Sequence, residues 1–264
     1  MEVAHYLKPK TLKEAHDALL QSPRNVLLAG GLWLKRSTPS VETLIDLDEL
    51  GLDKIEDEGD YVKIGAMTTL RQLELDPLIK NLQEGLIVKA ISQIVGVAFR
   101  NSATIGGSVA GRYSFSDILT PLLVLETKLV FYPKEEMSLQ DFLNLKGKLN
   151  SILTHIVIKK TRGLSFFKKV KITAIDFPIL NVAISEENKK VKIAVGSRPA
   201  VSALAQRAAK LVNNASEITD AICKEASQIA VEELIFNSSV TASEEYRKLL
   251  AKTYIYRGLK EVLK

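Results

Sequence analysis

The chain has 264 residues, 46% of them hydrophobic and 25% charged, which is enough apolar material for one large core or two modest ones and does not suggest disorder. Its 36 basic and 31 acidic residues give a net charge of +5, and the lysines are too scattered for a nucleic-acid-binding surface. No run of about 18 apolar residues occurs, and residues 1–10 lack a signal-peptide core, so we expect a cytoplasmic protein without membrane-spanning segments.

Hydrophobic periodicity predicts interleaved helices and strands in the first half of the chain. Residues 11–20 are predicted to form a helix that begins at Thr11, with Glu14 placed for a reciprocal capping interaction. The other elements predicted here are strands at 26–29, 43–47 and 61–66, an acidic turn at 57–60, a helix at 68–75 and one continuous helix at 85–99.

The second half continues with a helix at 118–126 and strands at 128–132, 151–159 and 165–171. Residues 181–185 and 190–195 are predicted to form a hairpin around the polar turn at 186–188. Three helices, at 199–212, 216–234 and 242–263, end the chain. The pattern changes close to residue 163, where we expect a domain boundary.

Cysteine and histidine usage limits the metal chemistry of this chain. Cys223 is the single cysteine, so the sequence has no intrachain disulfide and cannot supply the roughly four thiolates of an iron–sulfur cluster. The three histidines, His5, His16 and His155, are far apart and show no metal-ligand spacing. We therefore expect no metal site, and any iron–sulfur centre must lie on another chain.

Two apolar runs end in glycine pairs, Gly30-Gly31 and Gly106-Gly107, and Ser116-Asp117 follows the second pair after a short interval. Because glycine lacks a Cβ, such a backbone can adopt positive φ and bring its amides within hydrogen-bond distance of a phosphate. Two loops of this kind can hold one diphosphate. Either pair taken alone is also compatible with a simple tight turn.

The common nucleotide-binding motifs do not match these loops. A Rossmann fingerprint needs a G-x-G-x-x-G array directly after a strand, and neither loop has that spacing. Residues 106–113 approach a P-loop, but Arg112 and Tyr113 stand where its lysine and its magnesium-binding hydroxyl are required. We therefore set aside a kinase or ATPase.

The glycine loops resemble the FAD loops of molybdenum hydroxylases. The likeness covers nearly the whole chain, and its specificity comes from the order, separation and flanking residues of the segments. The segments are Leu28-Ala29-Gly30-Gly31, Arg100 to Ser108, Ser116-Asp117, Phe166 to Val170, Asp176 and Leu180-Asn181-Val182-Ala183. The sequence is thus similar to the separate FAD-binding medium subunit of xanthine, carbon monoxide and nicotinate dehydrogenases.

This resemblance implies an α+β fold. Its FAD-binding domain would consist of two subdomains of the vanillyl-alcohol oxidase and enolpyruvyl-glucosamine reductase type. A smaller α/β domain of the carbon monoxide dehydrogenase flavoprotein type would follow. We expect the FAD-binding domain at 1–163, with the break between its subdomains near residue 55, and the C-terminal domain at 164–264.

The resemblance also assigns residues to the FAD diphosphate, which backbone amides would bind. Gly30 and Gly107 are expected to tolerate substitution least. The first loop comprises Leu28, Ala29, Gly30, Gly31, Leu32 and Trp33, and the second comprises Thr104, Gly106, Gly107 and Ser108. Ser108 replaces the asparagine usual in the family, and Trp33 is bulkier than the usual residue.

Ser116 and Asp117 match the family's pair at the ribityl and diphosphate region. The structural alternative is a helix cap formed by Ser114 and Asp117 in a Ser-x-x-Asp arrangement. A carboxylate has enough acceptor sites for both roles, and contact with a hydroxyl suits its charge better than contact with a phosphate.

The resemblance further places a lysine near the flavin, at Lys168. Positive charge near the N1 end of the ring raises the flavin potential. Lys169 is the rival, because alternation along a strand lets only one of the two face the flavin. Ile158 or Ile156, on the preceding strand, is expected to pack against the ring.

The implied function is that of an FAD-binding electron-transfer subunit of a molybdenum hydroxylase, an oxidoreductase. Electrons would arrive from iron–sulfur centres on a small subunit, after hydroxylation on a large molybdenum-cofactor subunit, and leave to NAD or another acceptor. No side chain of this chain needs to act as a nucleophile or base. The alternatives are a stand-alone FAD-dependent oxidase or reductase of the same fold and a non-flavin interaction protein.

Overall fold

The computed structural model describes residues 1–34, 40–147 and 149–264. These residues form two compact units, each assembled from separate stretches of chain. The first unit comprises Met1–Leu73, Val97–Gly111 and Thr127–Ile158, and the second comprises Glu74–Gly96, Arg112–Glu126 and Lys159–Lys264.

Strands and helices alternate irregularly along the described ranges. The strands are β1 (Glu2–Leu7), β2 (Val26–Leu28), β3 (Ser40–Asp46), β4 (Ile55–Glu58), β5 (Tyr61–Gly65), β6 (Thr127–Tyr132), β7 (Glu135–Ser138), β8 (Ile152–Lys159), β9 (Ser165–Val170), β10 (Leu180–Glu187), β11 (Lys190–Gly196) and β12 (Ala203–Leu204). The helices are α1 (Leu12–Gln21), α2 (Leu70–Leu75), α3 (Pro77–Asn81), α4 (Leu86–Ile91), α5 (Val97–Ser102), α6 (Ile105–Ala110), α7 (Leu119–Val124), α8 (Leu139–Asn144), α9 (Gln206–Asn214), α10 (Asp220–Glu233) and α11 (Glu244–Val262).

The first unit contains a parallel three-stranded sheet, ordered β1-β3-β2, on which α1 packs. Thr11 caps α1 by accepting from the Glu14 amide at 3.1 Å, as the sequence predicts. The Glu14 carboxylate closes the reciprocal interaction one residue earlier than a standard capping box, at the Lys10 amide (2.8 Å).

A five-stranded sheet, ordered β4-β5-β8-β6-β7, completes the strands of the first unit. Side chains of β8 alternate between its two faces: Ile156 and Ile158 are fully buried, whereas His155 and Val157 are half-buried. Burial, followed by the nearby positive charge of Lys63, lowers the pKa of His155.

The second unit is built on an antiparallel four-stranded sheet, ordered β12-β11-β10-β9. Helices α9, α10 and α11 bury its apolar face in one cluster. The β10–β11 hairpin turns at Asn188 and Lys189, both of which have positive φ (52° and 63°), the geometry of a two-residue hairpin turn that fits strand twist. The turn therefore begins two residues later than the predicted one and overlaps it at Asn188.

Two predicted helices differ from the structure. The helix predicted at 85–99 consists of α4 and α5, because the chain turns between them at Val95, where φ is +40°. The helix predicted at 199–212 begins only at Gln206, after the short strand β12. In both places the helical spacing of apolar residues continues through a stretch that is not helical, so the spacing alone does not reveal where the helix begins or ends.

Candidate functional site

The first glycine loop lies directly against the segment that precedes the second. A Cβ built on Gly30 would be 2.0 Å from the Ser102 carbonyl oxygen and 3.3 Å from the Ala103 Cα. Gly31 follows with φ +69°, a conformation that favours glycine. The first unit thus places Gly30 in main-chain contact with residues 102–103, which directly precede Thr104 of the second loop.

Two amides of the first loop, those of Gly30 and Gly31, are available for a ligand. They donate to no acceptor within the residues that the structure describes. The neighbouring residues Ala29, Leu32 and Trp33 are half-buried, and Leu28 ends strand β2. This loop therefore has the unpaired donors and the positive φ expected of an anion cradle.

The second loop uses its amides differently. The Thr104 hydroxyl caps α6 by accepting from the Gly107 amide (3.1 Å). The Thr104 carbonyl accepts from the Ser108 amide (3.0 Å) and from the Ser108 hydroxyl (2.8 Å). The Gly106 amide donates to the Ala66 carbonyl at 2.8 Å. These amides are already paired, which differs from the expectation that they bind a diphosphate.

Gly106 is required for packing instead. Its added Cβ would lie 2.5 Å from the Ala66 carbonyl oxygen, whereas a Cβ on the exposed Gly107 would meet only the Thr104 hydroxyl, at 3.1 Å. A neighbour at this second distance needs to move by only a few tenths of an ångström. The structure thus ranks Gly106 above Gly107 in sensitivity to substitution.

Trp33 has an intramolecular aromatic partner. Its ring meets Phe99 of α5 edge to face, with the ring centroids 6.3 Å apart. Phe99 is half-buried, so both rings leave part of their surface open beside the glycine loop.

Ser116 and Asp117 lie in the second unit, immediately before α7. The Ser116 hydroxyl accepts from the amides of Ile118 and Leu119, both at 3.3 Å. The carboxylate of Asp117 bonds to side chains, and the turn before α7 is closed by Ser116 and not by the Ser114–Asp117 pair that the alternative proposed.

Asp117 forms a buried ion pair with Lys169. The Lys169 ammonium donates to Asp117 Oδ2 at 2.7 Å, and the two side chains are only 2% and 7% exposed. Asn181 donates to the other oxygen, Oδ1, at 3.3 Å. Burial raises the pKa of Asp117, and the charge of Lys169 offsets part of that rise.

The two candidate lysines lie on opposite faces of β9. Lys169 faces Asp117, whereas Lys168 is exposed and holds its ammonium 5.4 Å from the ring centroid of Tyr254 in α11. The alternation expected along a strand is therefore present, and which of the two lysines faces a flavin stays a prediction. Contact between Lys168 and a flavin stays a prediction.

Ile158 is fully buried in β8, as is Ile156. Neither side chain leaves surface for a ring in this conformation, so flavin packing at these positions stays a prediction.

Sequence reasoning missed the polar cluster around Asp117. Asn181, Thr120 and Ser202 are fully or almost fully buried, and the Thr120 hydroxyl contacts both of the others, at 2.6 and 2.8 Å. The available signal was the single asparagine in the apolar run 179–184. A polar residue within a central buried strand needs hydrogen-bonding partners.

The structure as described contains no group of three or more histidines, cysteines, aspartates or glutamates placed to bind a metal ion. Among the described helices, none combines the length and the apolar composition needed to cross a bilayer.

Two family models match the chain. Residues 2–159 match the FAD binding domain in molybdopterin dehydrogenase, and residues 165–262 match the carbon monoxide dehydrogenase flavoprotein C-terminal domain. The first match alone covers more than half of the chain.

Similar curated proteins include three FAD or medium subunits. The xanthine dehydrogenase FAD-binding subunit of Escherichia coli O157:H7 is 25% identical over 99% of this chain and 97% of its own length. The nicotine 6-hydroxylase medium subunit of Paenarthrobacter nicotinovorans is 27% identical over 97% and 96%, respectively. The nicotinate dehydrogenase FAD-subunit of Eubacterium barkeri is 28% identical over 65% and 64%.

Solved structures show the same fold. A carbon monoxide dehydrogenase from Hydrogenophaga pseudoflava superimposes with a TM-score of 0.90 at 22% identity, over 98% of this chain and 96% of its own. Quinoline 2-oxidoreductase from Pseudomonas putida 86 gives 0.87 at 22% identity, over 98% and 96%. The chain belongs to the family of FAD-binding subunits of molybdopterin dehydrogenases, which are oxidoreductases.

Proposed function

We propose that this chain is the FAD-binding electron-transfer subunit of a multi-subunit molybdenum hydroxylase. The observation that carries the proposal is the approach of Gly30 to Ser102, because it puts the first glycine loop against the segment that leads into the second. FAD, when bound, supplies the ability to take up two electrons and pass them on. The chain supplies binding, orientation and electrostatics.

We assign the FAD diphosphate to the first glycine loop. The unpaired amides of Gly30 and Gly31 suit a group of about two negative charges that accepts several hydrogen bonds. Leu28, Ala29, Leu32 and Trp33 flank this cradle. The second loop contributes Thr104, Gly106, Gly107 and Ser108, chiefly through its shape, since its amides are paired.

We assign the ribityl hydroxyls to Asp117, with Ser116 beside it. Of the two lysines, Lys169 is the better candidate for a position beside the cofactor, because it lies on the face of β9 that contacts Asp117. Lys168 and Ile158 are retained as candidates for flavin contact, and substitution at each position tests them.

The partners are proposed from the relatives. The names of those relatives describe FAD or medium subunits of dehydrogenases and a hydroxylase. We propose that an iron–sulfur small subunit donates electrons to this chain, that a large subunit carries the molybdenum cofactor, and that NAD or another acceptor removes the electrons. We also propose that residues 1–163 form the two-subdomain domain of vanillyl-alcohol oxidase type and residues 164–264 the C-terminal domain.

Co-purification tests the complex. A tagged chain, expressed with its neighbouring genes, should recover a cysteine-rich iron–sulfur chain and a large molybdenum chain. Recovery of FAD with neither partner, together with reduction of the isolated chain by a small substrate, would instead establish a stand-alone flavoenzyme. A chain that shows no flavin absorption and takes up no added FAD would be a non-flavin interaction protein.

A further inference from the structure

Asn181 lies on β10, a central strand of the second unit's sheet, between one residue of β9 and one of β11. It pairs in register with Lys169 on β9 and with Gly196 on β11, so the three residues share one face. A Cβ on Gly196 would lie 2.2 Å from both Asn181 Oδ1 and the Thr120 hydroxyl. The absent side chain of Gly196 thus makes room for the asparagine amide.

Hydrogen bonds fix the orientation of this amide. Asn181 Oδ1 accepts from the Thr120 hydroxyl at 2.6 Å. Nδ2 donates towards Ser116 O (3.2 Å), Asp117 Oδ1 (3.3 Å) and Ser197 Oγ (3.5 Å). The carbonyl and the carboxylate only accept, so the NH₂ group must face them.

We propose that Asn181 is a positioning residue for the cofactor site: together with Lys169 it holds the Asp117 carboxylate in one orientation for the ribityl hydroxyls of FAD. Each oxygen of Asp117 receives one donor from the sheet, Oδ2 from Lys169 and Oδ1 from Asn181. A carboxylate has about four acceptor sites, so about two remain for hydroxyl donors. This inference rests on the proposed assignment of Asp117 to FAD.

The proposal is tested with the variants Asn181→Ser and Asn181→Asp. Flavin fluorescence measures the affinity of each purified chain for added FAD between pH 5 and 8. The serine side chain is too short to reach Asp117, so we expect FAD affinity to fall by about tenfold, the equivalent of one charged hydrogen bond. The aspartate restores the contact only when the carboxylate pair holds a proton. FAD affinity of that variant should therefore fall as pH rises, whereas the wild-type profile stays flat.

Asn213→Asp is the matched control. Asn213 also bonds a strand of this sheet, through the Val191 amide and carbonyl, but it does not touch Asp117. Its FAD affinity should keep the flat wild-type profile. Wild-type affinity with a flat pH profile in both Asn181 variants would overturn the positioning role, while failure of the wild-type chain to bind FAD would overturn the proposed function itself.

Discussion

The Gly30 Cα and the Ser102 carbonyl are so close that a methyl group on Gly30 would lie 2.0 Å from the carbonyl oxygen. The requirement for glycine here comes from main chain meeting main chain, since its φ is not in the left-handed region. A substitution must therefore move the first loop away from the main chain at Ser102, and it cannot be accommodated by rotation of a side chain.

Gly30→Ala should weaken FAD binding at least tenfold and lower the free energy of unfolding by about 1–3 kcal/mol, the usual cost of overpacking. Titration with FAD and urea denaturation measure the two effects. Gly96→Ala is the control, because a Cβ there meets no atom within 4 Å. Equal FAD affinity in both variants would show that the contact between Gly30 and Ser102 is irrelevant to binding.

Lys169→Met should destabilise the protein in a pH-dependent manner. Breaking a buried ion pair costs about 3–5 kcal/mol, because one charge remains buried and unpaired. Without Lys169 the pKa of Asp117 must rise further above its unfolded value of about 3.9, so the folded state binds the proton more tightly than the unfolded state. The free energy of unfolding should therefore fall as pH rises from about 4 to neutrality.

Lys168→Met is the matched control for that experiment. This exposed lysine has an aromatic contact worth about 0.5–1 kcal/mol, and among the described residues it pairs with no buried carboxylate. Its stability should track the wild-type pH profile in urea denaturation. A Lys169→Met profile parallel to both would refute the electrostatic role of the buried pair.

Gln83→Leu should open the segment 160–164 that joins the two matched family regions. Gln83 and Glu84 both have positive φ (43° and 51°), at a cost of about 1–2 kcal/mol each. The Gln83 side chain holds this turn in place by donating to the carbonyls of Leu164 (2.9 Å) and Glu186 (2.6 Å) and accepting from the Thr161 hydroxyl (2.8 Å). Leucine makes none of these bonds.

Limited trypsin digestion measures the opening, since Arg162 is exposed within this segment. The variant should be cut there faster than the wild-type chain by tenfold or more, because local opening exposes the peptide bond. Gln206→Leu, at an exposed position in the same unit, should leave the rate unchanged. Equal cleavage rates in all three proteins would show that Gln83 does not hold this segment in place.

Much of the fold followed from local pattern. The Thr11 cap, the strand β2 and the β10–β11 hairpin are each specified by residues close in sequence, and the structure contains all three, although β2 is half-buried where a buried strand is predicted. β1 was missed because nearly all of its side chains are exposed, which leaves no alternation to detect. Val95 interrupts the predicted 85–99 helix because its φ is positive, a conformation that is not expected of a valine.

The glycine pairs could be identified from the sequence, but which pair has amides free to bind a ligand could not. Whether an amide is free depends on distant carbonyls: Ala66, far along the chain, occupies the Gly106 amide, whereas nothing described occupies that of Gly30. The facing of Lys168 and Lys169 likewise depended on strand register, which pairs Asn181 with Lys169. Long-range register of this kind is a property of the folded sheet.

The most direct measurement is a visible absorption spectrum of the purified chain after incubation with FAD and removal of the excess, for wild type and Gly30→Ala side by side. The account predicts a stoichiometric flavin spectrum in the wild-type chain and its loss or strong reduction in the variant, with Gly96→Ala retaining it. A wild-type chain that retains no FAD, or a Gly30→Ala chain that retains it fully, would contradict the account.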